Sequence, residues 1–143
     1  MNTVNQILSR KGAIAITVEP GTSVFDALHL MAEKNIGSVV VTTKDGAFQG
    51  IVTERDYSRK VVLQGRNSTE ATVEEIMSTD LPRLSLNDTV DHCMHLMTSK
   101  NIRYLPVFSG SELKGIISMS DVVKATILMQ QETISHLKEY INQ

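Results

Sequence analysis

Two short stretches of this 143-residue chain place a hydroxyl and a carboxylate three residues apart, behind a glycine and two aliphatic residues. The first is Gly50-Ile51-Val52-Thr53-Glu54-Arg55-Asp56; the second, 65 residues on, is Gly115-Ile116-Ile117-Ser118-Met119-Ser120-Asp121. Each reads as the end of a strand, a polar turn and the first turn of a helix. Thr53 with Asp56, and Ser118 with Asp121, can then form a capping box, each side chain serving the other residue's backbone amide. A carboxylate at a helix start is favoured as the anion by the dipole. It can also take charge-assisted hydrogen bonds on each of its two oxygens. The four-residue pattern alone specifies no more than a cap, since Ser23-x-x-Asp26 and Thr72-x-x-Glu75 repeat it. The preceding glycine and aliphatics, and above all the duplication, set these two apart and say that the halves of the chain are copies.

The elements that position the motifs follow from the pattern of apolar residues. Thr3 can cap a short helix carrying Val4, Ile7 and Leu8 at helical spacing, with Gln6 completing a capping box. Ala13 to Val18 is a strand candidate, and Ser23 can cap a helix over about 23–34 with Val24, Ala27, Leu28 and Met31 on one face. Asn35 is a helix stop. Gly37 to Thr42 is a β-branched run expected as a buried strand, Lys44-Asp45-Gly46 a hairpin turn, and Phe48 to Val52 the return strand. A helix over about 54–64 ends at Gly65. The order then restarts: Thr72-Val73-x-x-Ile76-Met77-Ser78 repeats Thr3-Val4-x-x-Ile7-Leu8-Ser9, and Val90, Cys93, Met94 and Met97 repeat Val24, Ala27, Leu28 and Met31. Tyr104 to Phe108 and Leu113 to Ile117 are the second strand pair. The last helix starts near Asp121 and reaches about Ile141, and the spacing allows a break near Gln130-Gln131. The expected organisation is repeat 1 over 1–65, a linker over 66–71, repeat 2 over 72–129 and a helical extension over 130–143. The extension's stripe of Ile127, Ile134, Leu137 and Ile141 has little left in the chain to cover it, so a second copy is expected to bury it.

Composition narrows the function. Hydrophobic residues make up 41% and charged residues 21%, as in an ordinary soluble protein. Each repeat of roughly 60 residues is small for independent stability, so the copies are expected to share one core. A net charge of −2 gives no reason to expect nucleic-acid binding, and 4% aromatics with no Trp argue against a base-stacking platform. The single Cys93 excludes an intrachain disulfide. Neither a signal pattern at Met1-Asn2-Thr3-Val4 nor an apolar run of membrane-spanning length is evident, so a cytoplasmic protein with no membrane partner is expected.

The order helix–strand–helix–strand–strand–helix, twice, with Gly-h-h-[Thr/Ser]-x-x-Asp at each last strand–helix junction, resembles a tandem pair of CBS domains, a Bateman module. The resemblance runs from Thr3 to about Met129 and is to a free-standing bacterial two-CBS-domain protein. It implies an α+β fold of two repeats packed with pseudo-twofold symmetry, with ligand clefts between them that take adenosine-containing molecules. It further implies homodimers and a role in sensing energy or metabolite state. AMP, ADP or ATP is the first expectation; NAD(H) and S-adenosylmethionine offer the same chemistry.

On this resemblance Asp56 and Asp121 match the ribose-binding aspartate, one carboxylate accepting from two adjacent hydroxyls. Thr53 and Ser118 match the hydroxyl that approaches ribose or phosphate beside free helix-start amides. Ile36-Gly37-Ser38 and Ile102-Arg103-Tyr104 match the positions that contact adenine, with Ile16, Leu84 and Met119 weaker candidates. Positive charge for phosphate differs between copies: Arg55 stands where the second copy has Ser120, and Arg103 where the first has Gly37. The clefts are therefore expected to be inequivalent. Asp91-His92-Cys93-Met94-His95 holds metal-ligand residue types, but Cys93 sits at the apolar position of Ala27 and reads as a buried thiol. Met31, Met77, Met94 and Met97 read as adaptable core packing. No nucleophile–base pair stands out, so the expectation is a non-enzymatic sensor, possessing an unidentified effector protein as target. The rival is a constitutive interaction scaffold with degenerate clefts.

Overall fold

The structure, a computed structural model, describes residues 2–12 and 15–142. Its elements are α1 (Val4–Lys11), β1 (Thr17–Val18), α2 (Val24–Lys34), β2 (Ser38–Thr42), β3 (Phe48–Thr53) and α3 (Glu54–Tyr57), which continues as a π-helical turn over Ser58–Val62. The second series is α4 (Val73–Ile76), β4 (Leu84–Ser85), α5 (Val90–Lys100), β5 (Tyr104–Ser109), β6 (Glu112–Ser118) and α6 (Met119–Ile141). Of the strand expected over Ala13–Val18, Thr17–Val18 is observed; Ala13 and Ile14 lie outside the described residues.

Each copy builds a three-stranded sheet, β1-β2-β3 and β4-β5-β6, with its first pair parallel and its second antiparallel. The antiparallel registers are equivalent: Val41 faces Gly50 and Val107 faces Gly115, with a bulge directly after each valine. The parallel pairs are not equivalent, for a reason visible in one residue. The Val40 amide donates to the Ile16 carbonyl at 2.9 Å. Its counterpart is Pro106, which has no N–H to donate. The second sheet loses that rung, and β4 begins opposite Val107, whereas β1 already begins opposite Val40.

Both long helices of the copies stop at asparagine in the left-handed conformation, Asn35 at φ 54° and Asn101 at φ 53°. There the amides of Ile36 and Ile102 bond back to the carbonyls of Met31 and Met97 at 2.9 and 3.0 Å, turning the chain into β2 and β5. A side chain with a Cβ is strained at such angles, and asparagine tolerates them best after glycine. Replacing Asn35 or Asn101 by alanine is expected to cost about 1 kcal/mol in urea unfolding, with glycine at least as stable as asparagine.

Most buried side chains fall into two clusters, with Val40, Ile51 and Phe108 buried outside both, and the chain sorts into two compact units, Ala15–Leu81 and Met1–Ile14 with Pro82–Gln143. The sequence copies and the compact units differ at their first helix, which each unit takes from the other copy. α1 lays Val4, Ile7 and Leu8 among Leu84, Cys93, Met97, Leu105 and Ile117. α4 lays Val73 and Ile76 among Val24, Met31, Val39 and Val52. Orphan first-turn amides account for the docking. Val4 and Asn5 donate to the carbonyls of Asp88 and Leu86, both at 2.9 Å. Val73 and Glu74 donate to those of Thr22 and Pro20 at 2.9 and 3.3 Å. In each unit the loop after the short parallel strand supplies the acceptors. At α4 the cap is reinforced by an Arg66–Glu75 ion pair. The Thr72 amide first, and then Arg66, hold the Glu75 carboxyl below its ordinary value. That contribution is present above the ordinary carboxylate range and fades as pH falls through the lowered value.

The helix expected over about 54–64 is one α-turn followed by the π-helical turn, which keeps Val61 buried while Val62 and Leu63 face outward. α6 runs unbroken through Gln130-Gln131, both of them exposed and good helix formers. Among the described residues no helix is long and apolar enough to cross a membrane.

Candidate functional site

Both motifs fold as strand end, cap and first helical turn. Thr53 caps α3 with extended backbone, its hydroxyl accepting from the Asp56 amide at 3.1 Å, and the Thr53 amide donates back to Asp56 Oδ2 at 2.9 Å. The Thr53 hydroxyl also donates to Asp56 Oδ2 at 3.1 Å. Ser118 repeats the box on α6: its hydroxyl accepts from the Asp121 amide at 3.1 Å, and its amide donates to Asp121 Oδ2 at 2.8 Å. The adjoining strand is fixed to the same corner. Ser38 is the register partner of Thr53, and Tyr104 of Ser118. The Gly37 carbonyl accepts from the Glu54 amide at 3.2 Å, and the Arg103 carbonyl from the Met119 amide at 2.8 Å. Ile36 packs against the cluster that holds Val73 and Ile76; Ile102 and Met119 pack against the cluster that holds Val4, Ile7 and Leu8. Within the first copy the fold thus gathers Ile36, Gly37, Ser38, Thr53 and Asp56, and within the second Ile102, Arg103, Tyr104, Ser118, Met119 and Asp121.

Each aspartate also carries a lysine, reached by a different route. Lys60, one turn along from Asp56, sits 3.1 Å from Asp56 Oδ1 and donates to the Ile76 carbonyl at 2.8 Å. The equivalent position after Asp121 is Ala125, buried in the core. Lys11, at the end of α1, takes over there, 2.7 Å from Asp121 Oδ2 and donating to the Ile116 carbonyl at 2.9 Å. The carboxylate side chains are only 12% and 13% exposed, so an opposite charge offsets their partial desolvation. Two donors of each ammonium are thereby used, and among the described residues nothing takes the third. The acceptors differ more. Both oxygens of Asp56 are engaged, by Thr53 and Lys60. Asp121 concentrates its bonds on Oδ2, and Oδ1 has no hydrogen-bond partner among the described residues.

Lys11 was not among the residues read from the sequence as site candidates; no local spacing signals a partner 110 positions away. Lys60 is legible as an i,i+4 neighbour of Asp56. Of the two candidate arginines, Arg55 is half-buried and Arg103 is exposed. Ile16 and Leu84 are not equivalents: Ile16 is half-buried beside the start of β1, whereas the Leu84 side chain is wholly inside the core.

The metal-like cluster on α5 is split by burial, Cys93 inside the core and His92 and His95 exposed. Burial pushes the Cys93 thiol up to about 11, with the negative charge of Asp88 adding to it. The thiolate is the reactive form. At pH 8, labelling of Cys93 by a disulfide reagent should therefore be on the order of 200-fold slower in the folded chain than in urea. Because this value is raised on folding, stability is full below the unfolded thiol's value and falls as pH rises through the folded one.

A family model described as CBS domain matches residues 7–62 and again 73–127. A mitochondrial CBS domain-containing protein of Arabidopsis thaliana, CBSX3, is 33% identical over 97% of this chain and 71% of its own length. A solved protein with CBS domains from Burkholderia ambifaria, named provisionally for signal transduction, is 46% identical with a TM-score of 0.84 over 89% of this chain and 95% of its own. A CBS-domain containing protein of Agrobacterium tumefaciens is 40% identical with a TM-score of 0.82, over 87% and 92%. Duplicated motif, paired sheets and these matches agree: the chain belongs to the CBS domain family, a regulatory and signal-transduction family, as a tandem pair of CBS domains.

Proposed function

We propose that this chain is a non-catalytic regulatory module that binds an adenosine-containing ligand at its two motifs, with Asp56 and Asp121 receiving ribose hydroxyls. The observation that carries the reading is the fixed, nearly buried carboxylate at a helix start in both copies, beside the strand ends Ser38 and Tyr104. An adjacent hydroxyl pair suits such an acceptor, and the remaining donor of Lys11 or Lys60 suits a phosphate. AMP, ADP and ATP fit this description, as does NAD(H). S-adenosylmethionine shares the ribose but not the phosphate. Occupancy can alter the protein's output only by favouring one of two states over the other. The full engagement of Asp56 supports a second reading, in which the boxes are caps and the chain is a constitutive scaffold for an effector protein. Extraction of the purified protein followed by mass spectrometry, with calorimetric titration of AMP, ATP, NAD(H) and S-adenosylmethionine, tests between them. Recovery or saturable binding of one of these supports the sensor, and inert titrations with all four support the scaffold.

A further inference from the structure

Among the described residues, nothing packs on the far half of α6. Every side chain from Gln130 to Asn142 is exposed. About a dozen helical residues with no neighbour are marginal in water, so the stretch needs a partner to persist. Five of the seven large apolar residues exposed on α6 follow a seven-residue phase, with Leu128 and Tyr140 outside it. Ile127, Ile134 and Ile141 are seven apart, and Val123, Gln130 and Leu137 fill the intervening seam position. The isoleucines are 47%, 52% and 77% exposed and Leu137 is 56% exposed.

We propose that this seam pairs in parallel with the same seam of a second copy of the chain. A 3.5-residue apolar repeat is the geometry of two helices wound on each other, and β-branched residues at one seam position with leucine at the other favour two parallel strands. Gln130 points the same way. In a parallel, in-register pair its amide meets the same amide of the second copy, and each can donate and accept. An antiparallel pair centred on Ile134 would set it against the Leu137–Lys138 turn instead. The flanking positions, Thr126, Thr133 and Tyr140 on one side and Gln131 and Lys138 on the other, bring no like charges together in the parallel register. The inference does not depend on what the motifs bind.

The full-length chain carrying Ile127→Cys, or separately Ile141→Cys, tests this under mild oxidation, since the native Cys93 is buried and does not compete. Each variant should cross-link to itself, wild type should sediment as a dimer, and Ile134→Asp should weaken the dimer at least 30-fold while keeping its folded spectrum. Cross-linking only when the two cysteine variants are mixed would show an antiparallel pair and overturn the proposal. A monomeric wild type, or an Ile134→Asp chain that stays dimeric without cross-links in the cysteine variants, would overturn it too.

Discussion

Gly50→Val should lower stability by about 3 kcal/mol, at the upper end of what overpacking a filled interior costs, and the melting temperature by roughly 10 °C. The first motif begins with glycine because another segment lies against its backbone. The Ile51 amide donates to the Ser78 carbonyl at 3.0 Å and the Ser78 amide to the Ile51 carbonyl at 2.9 Å, so the chain leaving α4 is bonded to β3 beside Gly50. A Cβ on Gly50 would come 2.7 Å from the Ser78 carbonyl oxygen and 3.0 Å from the Met77 side chain. Met77 can yield, but the carbonyl is held by the bridge. Relief therefore requires breaking the two backbone bonds that close this unit. Alanine should cost less than valine but more than a typical surface change, and thermal unfolding of the three proteins side by side checks the order.

The second large effect is on binding. Replacing Asp121 by asparagine keeps an acceptor for the Ser118 amide and removes the charge and one acceptor oxygen. Hydrogen bonds to a charged group are worth about 1.5–3 kcal/mol each, so affinity for an adenine nucleotide should fall about 30-fold or more. Asp56→Asn should cost less, because both Asp56 oxygens are already engaged within the protein while Asp121 Oδ1 has no hydrogen-bond partner among the described residues. Inequivalence of the sites was expected from the exchange of Arg55 for Ser120 and Gly37 for Arg103. The structure adds a further source of it, the supply of Lys60 from the same helix and of Lys11 from α1.

What could be read in advance divides along the range of the interactions. The capping boxes at Thr3, Thr53 and Ser118 span three residues and form in both directions, and at Thr72 the Glu75 carboxylate accepts from the Thr72 amide. The asparagine stops and the hairpin registers are equally local. The assignment of α1 to the second copy's core was not legible, because Val4, Ile7 and Leu8 suit either core and the choice is made by carbonyls at Leu86 and Asp88. Lys11 follows from that choice and was hidden with it. The missing rung at Pro106 was readable in principle from the absent N–H, once register was known. The unbroken α6 shows that a polar pair within an apolar stripe changes what a helix faces, not whether it continues.

The measurement that bears most directly on the sensor is calorimetric titration of AMP and ATP into wild type, Asp121→Asn and Asp56→Asn, with melting temperatures recorded alongside. The sensor should show saturable binding of at least one nucleotide as wild type, a large loss in Asp121→Asn and a smaller loss in Asp56→Asn, with both variants still folded. Binding of the same strength in all three proteins would contradict it, leaving the two aspartates as helix caps.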